Sequence, residues 1–255
     1  MLLIYYSTLS ADLLSQAALN INISVKENNL IKKIYNLRYF FVPLIIVLLV
    51  TNFYMGLYQK NYDEVIRLKK SYSLYNKAME KATKKYGSYI DWNVQNAEDF
   101  YSFINEFLPI ESELAFLDDF PAIYTSLNSK KEIKLGKKFY GFYLNDGSLG
   151  FIYLNFPKCG VNDSINGEGP LTSICGSIWV DVNGFGFPNV YGIDLFQFVI
   201  TESGKLVPRG DKDDRVYPVS KYCSNISQKG DACAGQILSY KNTKYYREWI
   251  KRNYD

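Results

Sequence analysis

The feature that most constrains this chain is a run of 20 uncharged residues, Tyr39–Tyr58 (YFFVPLIIVLLVTNFYMGLY). As a helix rising about 1.5 Å per residue, this run extends about 30 Å, the thickness of the hydrocarbon core of a bilayer. A tyrosine stands at each end of the run, and aromatic side chains prefer the membrane interface. The sequence therefore predicts a transmembrane helix over residues 39–58. The alternative is a helix buried in the core of a folded domain.

The charges that flank this run predict its orientation. Lys32, Lys33 and Arg38 lie within the seven residues before it, and cytoplasmic flanks are enriched in Lys and Arg. We therefore expect residues 1–38 to be a cytoplasmic or leader-like segment and residues 59–255 to be an extracytoplasmic domain. The predicted location is the cell membrane, with a single pass.

All four cysteines follow the uncharged run, which agrees with export because disulfides form in oxidising compartments. The short spacings favour the pairs Cys159–Cys175 and Cys223–Cys233, although four cysteines allow three connectivities. Zinc binding is the rival interpretation, but the chain has no histidine and no CxxC spacing. The absence of histidine also excludes a Ser/His/Asp or Cys/His triad, and we expect that the protein is not an enzyme.

The region after the uncharged run predicts two helices. Apolar residues recur at steps of three and four between Tyr62 and Tyr86, which predicts an amphipathic helix over residues 59–87. Gly87 is suitably placed to cap this helix. A second helix is expected over residues 96–117.

The C-terminal half predicts strands. Two aromatic-rich segments flank Asn145-Asp146-Gly147, a strong signal for a β-hairpin. We expect residues 137–240 to form an antiparallel sheet with its loops. Together with the helices, this order predicts an α+β fold. In it, a long N-terminal helix, with one membrane half and one amphipathic half, packs on a small antiparallel sheet.

Several segments resemble the type IV pilins and type II secretion pseudopilins. YQKNYDEVIRLKKSYSLYNKAMEKA resembles the helix that follows the membrane span in this family, and Asp181–Ile200 (DVNGFGFPNVYGIDLFQFVI) resembles its DxNGxxxPNxxGxDxFxF segment. GKLVPRG at 204–210 and CAGQIL at 233–238 resemble the segments that usually follow the DxNG segment in this family. The resemblance covers about residues 40–240 and implies a pilin-like fold.

The same resemblance implies a structural subunit, major or minor, of a type IV pilus or a type II secretion apparatus. The implied partners are membrane lipid and other pilin-like subunits, contacted through the N-terminal helix in the membrane or in a cell-surface filament. One departure stands out: NLRYFFVPLIIVLLV lacks the small residue and the glutamate of pilin precursors, which argues against cleavage by prepilin peptidase. The alternative is a non-polymerising, membrane-tethered extracytoplasmic module that binds DNA or another surface.

The loop from Asp181 to Asp194 contains candidate metal ligands. Its D-x-N-G start is typical of calcium loops, in which oxygen ligands at alternate positions converge on a hard cation. Asp181, Asn183 and Asp194 are therefore candidate calcium ligands, and no other cofactor is expected. The more common alternative is that these side chains cap their own turns. A tethered enzyme, the third class of function, would depend on the pair Asp181/Asp194.

The C-terminal tail YKNTKYYREWIKRNYD is a candidate nucleic-acid interface. It interleaves basic with aromatic residues: Lys241, Lys244, Arg247, Lys251 and Arg252 with Tyr245, Tyr246, Trp249 and Tyr254. Aromatic side chains stack on bases and basic groups bind phosphates. The alternative is an ordinary terminal helix whose apolar side docks on the fold.

Overall fold

The computed structural model describes residues 29–116, 123–129, 131–136, 138–161, 169–184, 186–224, 226 and 229–254. The predicted N-terminal segment therefore lies outside the described residues up to position 28. The chain divides into two compact units, Met1–Tyr58 and Gln59–Asp255. The helices are α1 (Asn29–Tyr86), α2 (Ala97–Ile104), α3 (Val219–Tyr222), α4 (Cys233–Leu238) and α5 (Lys244–Tyr254). The strands are β1 (Ile110–Phe116), β2 (Ile123–Thr125), β3 (Glu132–Lys134), β4 (Phe139–Leu144), β5 (Leu149–Tyr153), β6 (Gly160–Val161), β7 (Ser173–Asp181), β8 (Leu195–Thr201) and β9 (Leu206–Pro208).

An antiparallel sheet organises the second unit. Six of its strands lie in the order β1-β4-β5-β7-β8-β9, and β6 pairs with β7 as the seventh. The β4–β5 hairpin turns at the Asn-Asp-Gly segment, where Gly147 has a φ of 85° and its amide donates to the Leu144 carbonyl at 2.9 Å. Strands β2 and β3 form a two-stranded sheet. The register places Asp181, at the end of β7, opposite Leu195, at the start of β8.

The part of α1 that belongs to this unit packs on one face of the sheet. Its buried apolar side chains recur at steps of three, four and seven, all of which return to one side of a helix: Val65, Leu68, Tyr75, Met79 and Ala82. The ring of Tyr75 lies 6.3 Å from that of Phe142 on β4. The helix ends at Tyr86, where Gly87 adopts a φ of 89° and its amide donates to the Thr83 carbonyl. A glycine accepts this left-handed conformation without the steric penalty of a Cβ atom.

The predicted fold class is wrong at the N-terminal helix. Among the residues that the structure describes, no helix is both long enough and apolar enough to cross a membrane. The fold is instead a mixed α/β fold organised by the six-strand antiparallel path.

The predicted second helix over 96–117 is also wrong in its second half. Helix α2 ends at Ile104, a 3₁₀ turn follows at Asn105–Phe107, and residues 110–116 form strand β1. Pro109 explains the change, because proline lacks the amide that a helix needs and disfavours helical geometry in the residue before it. The sheet consequently begins well before the predicted boundary at residue 137.

Gly150 on β5 is expected to be intolerant of a side chain. A Cβ atom there would lie 2.3 Å from Cζ of Phe142 and 2.5 Å from Oη of Tyr75, both enclosed between α1 and the sheet. We expect Gly150→Ala to lower the free energy of unfolding by about 1–3 kcal/mol through overpacking. Gly136→Ala is the matched control, because no atom lies within 4 Å of its Cβ position. Urea unfolding of both variants measures the difference, and equal stabilities would contradict this packing.

Candidate functional site

The site is built at the two ends of the loop between β7 and β8. Asp181 is the last residue of β7, and Asp194 immediately precedes β8. Strand pairing brings them together, and the Val182 amide donates to the Asp194 carbonyl at 2.9 Å. Both aspartate side chains are completely buried, with no exposed surface. The sheet thus places two carboxyl groups side by side in the core.

Every carboxyl oxygen of this pair accepts a hydrogen bond. Asp181 accepts from the Tyr124 hydroxyl at 2.7 Å and from the Asn183 amide at 3.1 Å. Asp194 accepts from the backbone amides of Asn189 at 2.6 Å and Val190 at 2.7 Å. The Asn183 contact is an Asx turn, and the two amides that donate to Asp194 hold the loop onto its own carboxylate. The structure therefore has the turn-capping arrangement that was the alternative to a calcium site.

Glu64 of α1 is a third acidic group at this site, and sequence reasoning missed it. The Asn183 side-chain amide lies 3.4 Å from Oε1 of Glu64 and 3.5 Å from Oδ2 of Asp194. The Tyr246 hydroxyl of α5 donates to the other oxygen of Glu64. A signal was present, because Glu64 precedes Leu68 by four residues and so shares the buried side of the helix.

Burial dominates the electrostatics of the pair. It raises the pKa of Asp194 to about 7. It also raises the pKa of Asp181 well above its usual range, and the neighbouring charge of Asp194 adds to this shift. Burial, followed by the charge of Asp181, likewise raises the pKa of the Tyr124 hydroxyl. Ionising both of two adjacent buried carboxyl groups costs a large free energy, so the pair retains a proton near neutral pH.

The oxygen atoms of the site fit calcium in type but are few in number. Asp181, Asn183 and Asp194 lie together, and the side-chain oxygens of Asn183 and Asn189 are buried without a hydrogen-bond partner. Calcium usually takes six to eight oxygen ligands. In the described part of the chain, no group of three or more Asp, Glu or Cys side chains is arranged to hold a metal ion. The calcium site stays a prediction.

A calcium titration tests this prediction. If the loop binds calcium, the ion should raise the midpoint of thermal unfolding, because a ligand that binds only the native state stabilises it. Magnesium is the matched ion, since it demands a smaller octahedral site. An equal response of wild type and Asp194→Asn to calcium would count against the loop as the site.

Without calcium, we expect the free energy of unfolding to fall as the pH rises from about 4 to about 7. Asp194 has a pKa of about 7 in the folded protein, whereas an unfolded aspartate titrates at about 3.9. The folded state therefore holds this proton more tightly. Its stabilising effect is complete below about pH 4 and is lost as the pH rises through about 7.

Urea unfolding in EDTA across this pH range measures the slope. Asp194→Asn should flatten it, because the side chain no longer titrates. Asp213→Asn, at an exposed carboxylate, should leave the slope unchanged. A stability that rises over this range in the wild type would contradict the buried, protonated pair.

The structure holds two disulfides, Cys159–Cys175 and Cys223–Cys233. The four cysteines are therefore oxidised and unavailable to zinc. Such bonds persist in oxidising compartments, which is consistent with an extracellular domain.

The C-terminal tail does not present its aromatic rings to a ligand. Tyr245, Tyr246 and Trp249 are buried on the inner side of α5, and the Trp249 indole donates to the Leu127 carbonyl at 2.7 Å. These three buried rings are not exposed to bases, and nucleic-acid binding through the tail stays a prediction. The basic side chains Lys244, Arg247 and Lys251 of α5, in contrast, are exposed.

Comparison with models of protein families, with characterised proteins and with solved structures finds no match to this chain.

Proposed function

We propose that the protein is a structural subunit, of pilin or pseudopilin type, of a type IV pilus or a type II secretion apparatus. The observation that carries the proposal is the exposed apolar segment Phe41–Val50 of α1. Its large apolar side chains are all between 47% and 65% exposed. A helix that is apolar on every side must be covered by something outside itself. In a filament, the same segment of neighbouring copies covers it.

Two further features support this proposal. The segment from Asp181 to Ile200 resembles the DxNG segment of the pilin family, and two backbone amides of its loop donate to the buried carboxyl group of Asp194. The same burial argues against the tethered enzyme, because neither carboxyl group has surface that a substrate could reach. In a structural role, the buried carboxyl groups need only hold this loop in its fold.

Filament formation by the full chain in its native host tests the proposal. Leu44→Asp and Leu48→Asp introduce charges into the exposed apolar segment and should abolish incorporation into sheared surface filaments. Ile66→Asp is the matched control, since Ile66 lies on the same helix and is 55% exposed, against 53% and 52% for the two leucines. Filaments that contain both leucine variants at wild-type levels would overturn the proposal.

The proposal includes the single-pass location in the cell membrane that the flanking charges favour. Membrane fractionation of the full chain measures this location independently of filament formation. Recovery of the chain in the aqueous fraction without detergent would remove this part of the proposal.

A second candidate is a non-polymerising tethered module that binds DNA or another anionic surface. The observation that favours it is the exposed basic side of α5, with Lys244, Arg247 and Lys251. Detergent-solubilised monomers that bind DNA, in cells without filaments containing the protein, would favour this candidate over the first.

A further inference from the structure

Phe187 is a large apolar residue that the fold exposes to solvent. It lies in the loop between β7 and β8 and is 83% exposed. The loop is anchored on both sides of it: the Asn183 side-chain amide donates to the Phe187 carbonyl at 3.3 Å, and the Asn189 and Val190 amides donate to the buried Asp194. Because single exposed apolar residues are common, this ring indicates a contact only together with a surface that fits it.

A groove of about 710 Å³ lies between α1 and β9; we call it the α1–β9 groove. Its lining includes Tyr72, Leu171, Leu206 and Val207. Leu171 and Leu206 are buried, whereas Tyr72 and Val207 are only half-buried and so present apolar surface to the groove. The volume lies within the range of about 300–1,000 Å³ that is typical of binding pockets. The groove is therefore large enough to receive an aromatic ring.

The groove does not favour a bound strand. β9 is the last strand in the sheet order, but the Tyr72 hydroxyl donates to its Leu206 carbonyl at 3.1 Å, and its Pro208 carbonyl accepts from the Asp211 amide at 3.0 Å. Proline also has no amide hydrogen to donate to a further strand. Side chains, rather than backbone, are therefore what this groove accepts.

The ring and the groove lie toward opposite ends of the sheet. Arg67 of α1 donates to the Val182 carbonyl at 3.4 Å, at the start of the β7–β8 loop. Thr83, sixteen residues later on α1, lies beside the β8–β9 turn, because a Cβ atom on Gly204 would be 2.7 Å from its hydroxyl oxygen. Sixteen residues of helix extend over about 24 Å. One copy of the domain therefore presents the ring near one end and the groove near the other.

Charge also distinguishes the two surfaces. Arg67, at the Phe187 end of α1, is exposed. The α1–β9 groove is lined by three carboxylates, Glu80, Asp211 and Asp213, and by two lysines, Lys84 and Lys205. No ion pair in the described part of the chain involves Arg67, Glu80 or Asp213. A second copy that brings its Arg67 to the groove therefore meets more carboxylates than cations.

We propose that Phe187 of one copy of this chain inserts into the α1–β9 groove of a second copy. The inference rests on the proposed function and names a subunit contact that the filament would use. Because the ring and the groove are different surfaces, the contact is head-to-tail, and every pair of bound copies still offers one free ring and one free groove. Such a contact extends into a filament or a ring of copies and does not form a two-fold dimer.

The size of the contact decides how it is measured. One aromatic side chain buries about 150–250 Å², whereas a stable interface buries about 1,200–2,000 Å² in total. The contact therefore does not hold two copies together by itself and acts with the apolar segment Phe41–Val50. Covalent capture in the native host detects a weak contact of this kind, because the neighbouring copies are already concentrated there.

Photo-crosslinking of the full chain in its native host tests the contact. With p-benzoyl-phenylalanine in place of Phe187, ultraviolet light should produce covalent dimers, and mass spectrometry should place the link in residues 72–84 or 206–213. Mixing isotope-labelled with unlabelled copies separates links between copies from links within one copy. The matched control has the same probe in place of Ile226, which is also 83% exposed and should give no link to the groove.

A substitution that fills the groove provides a second measurement. Asn76 lines the groove, so Asn76→Trp should occupy part of its volume and lower the yield of the Phe187 link at least about tenfold, as expected when an aromatic anchor loses its pocket. Lys77→Trp is the matched control, because Lys77 is the next residue of α1 and is exposed outside the groove. Its yield should equal that of the wild type. Circular dichroism establishes that both variants are folded.

Three results would overturn the contact. The first is a Phe187 link to any surface of a second copy other than the groove. The second is a link only to lipid or to a different protein, since the ring would then serve another partner. The third is an unchanged yield in folded Asn76→Trp.

The contact and the proposed function fail in different ways. Sheared filaments that contain the chain without any link from Phe187 to the groove would refute the contact and leave the function intact. The link between copies in cells, with the wild type absent from filaments, would refute the filament role and leave the contact intact.

Discussion

Trp249→Ala is expected to lower the free energy of unfolding by about 3–5 kcal/mol, the range for large aromatic side chains removed from a core. The side chain is only 6% exposed and belongs to the main hydrophobic core. Its indole donates to the Leu127 carbonyl at 2.7 Å. Alanine would leave both a cavity and an unpaired buried carbonyl, so the two penalties add.

Trp249→Phe separates these two penalties. Phenylalanine keeps much of the ring volume but loses the indole donor, so the hydrogen bond alone should account for about 0.5–1.5 kcal/mol. Tyr240→Ala is the control, because Tyr240 is an aromatic residue just before α5 and is 45% exposed. It should change the stability by about 0.5 kcal/mol or less. Urea unfolding measures all three variants, and equal losses for Trp249→Ala and Tyr240→Ala would refute this anchoring role.

The strands of the central sheet were accessible to sequence reasoning where local signals were strong. The Asn-Asp-Gly turn specifies the β4–β5 hairpin, since glycine supplies the positive φ. The stripe from Val65 to Ala82 has the period of a helix with one buried side. In both cases the signal lies within a few consecutive residues and does not depend on distant contacts.

Other elements depend on contacts that lie far apart in the sequence. Strand β1 has only partly buried or exposed side chains, so its strand character comes from pairing with β4 and from Pro109 rather than from alternation. Glu64 meets Asn183 across 119 positions of the chain. The aromatic residues of the tail were identified correctly from the sequence. Whether their rings face solvent or the core depends on packing with α1 and the β7–β8 loop, which lie far from the tail in the sequence.

The uncharged run from Tyr39 to Tyr58 shows that length and absence of charge are not sufficient to predict a membrane helix. Length and absence of charge predicted a membrane helix, whereas no helix within the described residues meets the requirement for a span. Hydrophobic side chains of a helix can also be covered by other protein chains. The same ten positions from Phe41 to Val50 therefore support an assembly contact, and the substitutions at Leu44 and Leu48 test it directly.

The second large effect is expected at the Cys223–Cys233 disulfide. Both cysteines are buried and stand ten residues apart, and the enclosed Ile226 is 83% exposed. The Ile226 side chain therefore contributes little through burial. A cross-link over this separation restricts the unfolded chain by about 3 kcal/mol in the chain-entropy description. Replacing both cysteines with serine should remove about 2–4 kcal/mol.

The same substitution should also loosen the C-terminal part of the domain. Cys233 begins α4, and a Cβ atom on Gly192 would lie 2.8 Å from its sulfur, so the disulfide packs against the loop that Asp181 and Asp194 fold. Amide hydrogen exchange should therefore accelerate in α4 and in the adjacent α5 more than in the β4–β5 hairpin. Wild type under reducing conditions should exchange at least as fast in α4 and α5 as the serine variant, since it loses this cross-link together with Cys159–Cys175. Free alkylation of all four thiols in the native protein without reductant would refute the disulfide and with it the argument for export.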